Sequence, residues 1–272
     1  MSSAKALSLK EEGNRHFQEG DYAGADALYS KAIIADPTNP TLYTNRSMAR
    51  LKLDMWDSVT SDCKACLEIA PNNMKGHYYL AQAELALKAF DDAVAHAKCA
   101  HEICIESNDK SLTAVTALVL RCKKERWEDR ERRRLREDAQ LEAQVLSLME
   151  TERDRDLKNA DNDGDRKEIA EEWEEKLSHL SDTFERARVE SEKRREVPDW
   201  VIDDITFGIM VDPVITKTGK SYERSAILEH LRRSSTDPLT RETLTPADLR
   251  PNINLKQACE EFLDKNGWAV DW

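Results

Sequence analysis

Cys63-x-x-Cys66, with Cys99, Cys104, His96 and His101 further along, supplies the residue types from which a zinc site is built. Neither histidine completes a ligand set. Cys63 and Cys66 fall where small buried side chains are wanted, and a free thiol packs there as a small hydrophobe. A second metal pattern runs through Asn159, Asp161 and Asp163, which imitate the first, third and fifth ligands of a calcium loop with Gly164 at its turn. The twelfth position, where a bidentate glutamate is required, is Ala170, so a helix-breaking turn is expected instead. No nucleophile and base stand in a pattern that covalent catalysis would need. Neither a metal nor any other cofactor is expected, and the chemistry left to this chain is recognition and positioning.

The elements that would position such groups are clearest between 197 and 272. Asp212-Pro213 opens a β-branched run, Val214-Ile215-Thr216, and Thr218-Gly219 can turn it back through Lys220-Ser221-Tyr222 as a small hairpin. Ile227, Leu228 and Leu231 then keep helical spacing over 225–233. Thr245-Pro246-Ala247-Asp248 has the hydroxyl cap, first-position proline and carboxylate of a short helix. Asn252 caps a last helix from Ile253 to about Leu263, which Asn266-Gly267 can close. A hairpin, a helix and two flanking loops in so short a stretch outline a RING-type module, which needs two zinc sites. Here Cys259 and His230 are the lone cysteine and histidine, so packing, hydrogen bonds and ion pairs must hold the fold.

At these residues the segment resembles a U-box, the zinc-free relative of the RING. From end to end the chain is similar to the chaperone-associated U-box ubiquitin ligases that carry an N-terminal repeat domain. The resemblance implies a scaffold that holds a ubiquitin-charged conjugating enzyme near a client lysine and catalyses by positioning. Ile205, Phe207 and Met210 on the first loop, Pro238 on the second, and His230 and Leu231 on the helix between match the family's contact positions for that enzyme. A core role for Ile205 or Phe207 is the alternative. Arg241 matches the position that hydrogen-bonds to both the enzyme and ubiquitin, a task suited to a planar guanidinium with five donors. A salt bridge to Asp237 is its structural alternative, and the two are compatible.

Towards the start, the sequence repeats at a period of 34 residues. Gly13, Ala25, Tyr29, Ala32 and Pro37 come into register with Ser47, Val59, Cys63, Cys66 and Pro71, then with Ala81, Ala93, Ala97 and Ala100. These are the small and aromatic positions of a tetratricopeptide (TPR) repeat, so three helical hairpins are expected over 6–107, with a capping helix over 112–127. Lys10, Asn14, Asn45 and Lys75 lie on the first helices at positions that resemble the carboxylate clamp of chaperone-binding repeats. The resemblance implies capture of the acidic C-terminal tail of heat-shock chaperones of the 70- and 90-kDa classes. Two cations and amide donors converging on such a tail would each contribute charge-assisted hydrogen bonds of roughly 1.5–3 kcal/mol. Ordinary polar residues on a helix face are the alternative. Tyr78 and Tyr79 would add an apolar wall, or serve as core. The acidic residue expected ahead of the capping helix has no counterpart, since Ala114 lies near that spot.

Between these parts the composition turns to Arg, Glu, Asp and Lys. Leu141, Val145 and Leu148, and then Trp173, Leu177, Leu180, Phe184 and Ala187, keep a narrow coiled-coil seam on each side of the 159–165 interruption. So short a seam buries too little alone, and a homodimer is expected, as the family implies. The fold class is therefore mainly α: a repeat domain with its cap over 1–127, a charged helical hairpin for dimerisation over 128–196, and a small α+β U-box over 197–272.

A chain of 272 residues has room for two modest cores and a connector. A net charge of −12 argues against nucleic acid as a partner, and the basic run from Arg130 to Arg136 is interleaved with acids as a wet helix face. No apolar run is long enough for a bilayer, and the opening Met1-Ser2-Ser3-Ala4-Lys5 runs straight into an amphipathic helix rather than a leader. Six scattered cysteines favour a reducing compartment, so the expected place is cytoplasmic, with the nucleus left open. The leading expectation is an E3 ubiquitin ligase and co-chaperone acting on misfolded clients for proteasomal degradation. A non-enzymatic repeat adaptor for chaperones is the rival, and Phe207, Pro238 and Arg241 discriminate, because an adaptor has no need of that trio.

Overall fold

In the computed structural model of the chain, residues 2–192 and 196–272 are described. Six helices pair as three hairpins: α1 (Ser2–Gln18) with α2 (Tyr22–Ala35), α3 (Pro40–Lys52) with α4 (Trp56–Ile69), and α5 (Met74–Ala86) with α6 (Phe90–Glu106). Local chemistry sets their ends. Asp21, Asn39 and Asn73 cap α2, α3 and α5 by accepting backbone N–H bonds from Gly24, Thr41 and Gly76. The first helix of each hairpin stops at a left-handed residue, Gly20 (φ +85°), Asp54 (+56°) and Lys88 (+62°). The N–H groups of Asp21, Met55 and Ala89 then reach back to the carbonyls of His16, Arg50 and Glu84.

The aligned small residues allow close helix approach. Ala25, Tyr29, Ala32, Val59, Cys63, Cys66, Ala81, Ala93, Ala97 and Ala100 are all fully buried or nearly so. Gly13 lies under Tyr29, where a Cβ would come within 2.7 Å of the ring. An ionic network ties three of the helices together. Asp62 on α4 takes Arg46 at 2.5 and 2.9 Å and Arg50 at 3.0 Å, and Arg50 also reaches Asp26 on α2 at 2.6 Å.

The helix that follows differs from expectation in length. α7 runs from Leu112 to Asn159 without ending near Trp127, because the charged sequence beyond that tryptophan holds no helix breaker and carries supporting ion pairs such as Arg133–Asp129 and Arg134–Asp138. The chain then breaks at 160–162 and resumes as α8 (Asp163–Glu192). Asn162 accepts the N–H of Asp165 at 2.9 Å, which makes the interruption a helix start rather than an ion loop. Residues 128–197 form a compact unit of their own, in which Trp173 donates its indole N–H to Asp156 at 3.0 Å. Of the predicted seam, Val145, Trp173, Leu177, Leu180 and Phe184 are half-buried, whereas Leu141 and Leu148 are 54% and 67% exposed. The last residues of the predicted segment, 193–195, lie outside the described residues.

The C-terminal stretch holds a three-stranded antiparallel sheet of order β2-β1-β3, from β1 (Pro213–Ile215), β2 (Ser221–Glu223) and β3 (Arg250–Pro251). Gly219 (φ +83°) turns the hairpin, with Val214 opposite Tyr222. α9 (Arg224–Leu231) and α10 (Ile253–Lys265) complete it, and Thr245 with Asp248 closes a capping box on the 3-10 turn Pro246–Asp248. Val214, Tyr222, Ile227 and Leu244 form its core.

This stretch, 198–272, and the repeats, 1–127, cluster as one compact unit. The repeats present Lys98 on α6 and Lys123, Lys124 and Arg126 on α7 to Glu260, Asp264 and Asp271. Trp127 donates its indole N–H to the Lys265 carbonyl at 2.9 Å, and a Cβ on Gly267 would fall within 2.4 Å of the Trp127 Cβ.

Candidate functional site

Two loops flank α9. The first is closed by a bridge between Ile202 and Ile209, the second by one between Thr236 and Thr243. Each is drawn in by a buried aspartate. Asp203, 0% exposed, accepts the N–H and hydroxyl of Thr206 at 2.8 and 2.7 Å on one oxygen and the Glu223 N–H at 2.9 Å on the other. Asp237, 1% exposed, accepts the N–H groups of Leu239 and Thr240 at 2.9 and 3.0 Å and the Tyr222 hydroxyl at 2.8 Å. Burial works against the charge on Asp237, but these donors outweigh it and hold the carboxyl below its usual range.

The tips of the loops carry the exposed groups. Phe207 is 73% exposed and left-handed (φ +56°), and Arg241 is exposed and left-handed (φ +61°). A β-branched or bulky residue rarely holds such a backbone unless its surroundings dictate it. Pro238 is half-buried beside Leu239, an apolar residue 50% exposed that sequence reasoning missed. The alternative pairing of Arg241 with Asp237 does not form. The Asp237 carboxylate is engaged by Tyr222, Leu239 and Thr240, and the Arg241 guanidinium has no ion-pair partner among the described residues.

The other predicted contact residues sit deeper. Ile205 and Leu231 are half-buried against the core of Val214, Tyr222, Ile227 and Leu244. His230 donates from Nε2 to the Thr236 carbonyl at 2.9 Å and so fastens α9 to the second loop. Met210 departs from its expected place on an open docking surface. It is 2% exposed and lines a small cavity with His101, Val119 and Leu263, because the repeats cover that side of the first loop.

A third set of buried charges cross-links this stretch. Asp212, 1% exposed, binds Arg224 at 2.5 Å and Lys256 at 3.1 Å. Glu223 accepts the N–H groups of Val211 and Asp212 at 2.7 and 2.9 Å, and burial pushes its carboxyl up. Among the described residues no group of three or more His, Cys, Asp or Glu side chains is arranged to hold a metal ion. Burial also pushes the thiols of Cys63, Cys122 and Cys259 up to about 12, far from the reactive thiolate.

In the repeats, Asn14 accepts the Tyr29 hydroxyl at 2.8 Å and the Asn45 amide at 3.1 Å on the same oxygen. What Asn14 has left for a ligand is its donor nitrogen. Lys10 is half-buried and Lys75 exposed. Tyr78 and Tyr79 are both half-buried against the repeat core, with ring centroids 5.7 Å apart, so each is at least partly structural. Ala114 is exposed, but Asp109 stands just before α7. Hydrogen bonds from Ser111 hold the Asp109 carboxyl below its usual range, and it feels the charge of Lys75.

The family model described as U-box domain matches residues 197–268. Over 272 residues the chain is 33% identical to E3 ubiquitin-protein ligase CHIP of Arabidopsis thaliana, an alignment that covers 99% of this chain and 97% of that protein. A shorter stretch of 93 residues is 38% identical to RNA polymerase II-associated protein 3 of Rattus norvegicus, covering 34% of this chain and 14% of the relative. Among solved structures, the first TPR of Spaghetti (RPAP3) bound to the HSP90 peptide SRMEEVD aligns at 32% identity and a TM-score of 0.38, over 42% of this chain and 91% of that one.

Proposed function

The chain belongs to the CHIP family of U-box E3 ubiquitin-protein ligases, and from that premise we propose how its residues divide the work. Phe207, Pro238 and Leu239 receive a ubiquitin-conjugating enzyme, with Ile205, His230 and Leu231 holding the loops from behind. Arg241 bridges that enzyme and ubiquitin, fixing the thioester for attack by a client lysine. The ligase itself forms no covalent bond; it acts by positioning.

The exposed ring of Phe207 on a left-handed backbone carries this reading. A large apolar group held out at the tip of a braced loop has no use in the isolated fold and suits a partner's apolar pocket. Pro238→Ala is expected to abolish autoubiquitination in a reaction with activating enzyme, conjugating enzyme and ubiquitin. Full activity in that variant would move the docking surface elsewhere.

For the repeats, the proposed ligand is the acidic C-terminal tail of heat-shock chaperones of the 70- and 90-kDa classes, with Lys10, Asn14, Asn45 and Lys75 as its donors. The orientation of Asn14, whose oxygen is already taken, supports this reading. Lys10→Ala should weaken binding of an acidic tail peptide by about 2 kcal/mol, more at low salt, and an unchanged affinity would remove the clamp assignment. A homodimer is proposed on the strength of Leu135, Leu141 and Leu148, which are 49%, 54% and 67% exposed on α7. A monomer at micromolar concentration by light scattering would contradict it. Misfolded, chaperone-bound proteins in the cytoplasm are the proposed clients.

A further inference from the structure

The two loops that flank α9 are built to one plan. Asp203 begins the first and Asp237 the second, each followed three residues later by a threonine and four later by the left-handed residue, Phe207 or Arg241. The backbone bonds repeat as well. Phe207 N–H donates to the Asp203 carbonyl at 2.8 Å and Arg241 N–H to the Asp237 carbonyl at 3.0 Å. Asp203 N–H donates to the Gly208 carbonyl at 2.8 Å, and Asp237 N–H to the Glu242 carbonyl, also at 2.8 Å. In both loops the aspartate side chain then accepts the N–H of its threonine.

Both carboxylates are moored to consecutive residues of β2. Tyr222 donates its hydroxyl to Asp237, and Glu223 donates its N–H to Asp203. Tyr222 is engaged through its side chain and Glu223 through its backbone, so one short strand anchors both loops. The left-handed conformation of a phenylalanine or an arginine is unfavourable by itself, and what holds it here is the closed ring of hydrogen bonds around each aspartate.

We propose that Asp203 and Asp237 are positioning residues with separate duties: Asp203, with Thr206, aims Phe207 and thereby sets affinity for the conjugating enzyme, whereas Asp237, with Tyr222, aims Arg241 and thereby sets the rate of ubiquitin transfer. The inference rests on the docking assignment above and deepens it. It puts the division between binding and turnover on side chains that touch neither partner.

The test uses the full-length protein and two readouts, the dissociation constant for uncharged conjugating enzyme and the KM and kcat for lysine-dependent discharge of the ubiquitin-charged enzyme. Thr206→Val removes only a hydroxyl from an exposed position, so the fold survives, and Asp203→Asn serves as the stronger variant. Thr206→Val should weaken binding about five-fold, the value of one net hydrogen bond, and raise KM in proportion with kcat within two-fold. Thr206→Ser should restore both. Tyr222→Phe should lower kcat about five-fold and leave the affinity for uncharged enzyme unchanged. If Phe207→Ala weakens binding while Thr206→Val and Asp203→Asn do not, the positioning role is overturned and the docking assignment stands. If Phe207→Ala itself leaves binding unchanged, the docking assignment falls and takes this inference with it. Equal losses of KM and kcat in both loops would overturn the separation of duties.

Discussion

Asp212 gathers two cations of the C-terminal module around one buried carboxylate. Its side chain is 2% exposed and holds Arg224 and Lys256. Burial alone would raise its pKa, but the two cations outweigh burial and hold it below the ordinary 3.8. A carboxyl more acidic in the fold than in the unfolded chain stabilises fully above its ordinary pKa, and that contribution is lost as the pH falls through the lowered value. Asp212→Asn should therefore cost roughly 3 kcal/mol at pH 7, with the difference from wild type shrinking in urea titrations below pH 4. His101 behaves in the opposite chemical sense. Burial first, and then Lys256 and Arg224, push its imidazole down to about 4, against the pull of Asp212. An imidazole kept neutral in the fold stabilises fully above its ordinary 6.5 and loses about 3 kcal/mol as the pH falls from there towards 4. Chemical denaturation between pH 7.5 and 4.5 reads this slope, and His101→Gln should remove most of it. Neither residue announced itself. Asp212-Pro213 was legible as the start of a strand, but its partners lie far along the chain, and only tertiary packing says which cation meets which carboxylate.

At the scale of elements, the repeats were the most legible part, because a period of small residues reports how closely two helices must pass. Gly13 is the sharpest case: an added methyl would sit 2.7 Å from the buried Tyr29 ring. Gly13→Ala gains helix propensity of about 1 kcal/mol but overpacks the α1–α2 contact at a cost of 1–3 kcal/mol. A net loss of about 1 kcal/mol in the free energy of unfolding, read by denaturant titration, is the expected result, and a more stable variant would contradict the account. Other boundaries were less legible. The predicted capping helix did not stop near Trp127, since a change from apolar to charged composition alters which face is wet without ending a helix. β3, two residues long, carries too little sequence for any periodicity to register. Asp203 drew no notice and Asp237 only as a possible partner of Arg241, although their shared Asp-x-x-Thr spacing was a signal that comparison of the two loops could have found.

For the whole molecule, the association of the repeats with the U-box in one unit was invisible in the sequence, because it joins residues more than a hundred positions apart by surface charge. Lys98 and Glu260 are 42% and 38% exposed, so such pairs contribute modestly and are screened by salt. Trp127 against Gly267 is the close contact that gives the association its register. Gly267→Val should separate the two surfaces, seen as faster amide exchange in α10 and around Trp127, with high salt producing a smaller change in the same residues. Exchange unaltered in that variant would mean that this contact does not hold the domains together.

The central claim is that two braced loops without metal hold out Phe207 and Arg241 for a charged conjugating enzyme. The most direct measurement is single-turnover discharge of ubiquitin-charged conjugating enzyme to free lysine, in the presence of a zinc chelator, with wild-type, Phe207→Ala and Arg241→Ala proteins. Wild-type protein should accelerate discharge with chelator present, Phe207→Ala should lose the acceleration through weakened binding, and Arg241→Ala should lose it while still binding the enzyme. Wild-type acceleration that disappears with the chelator, or full acceleration by either variant, would contradict it.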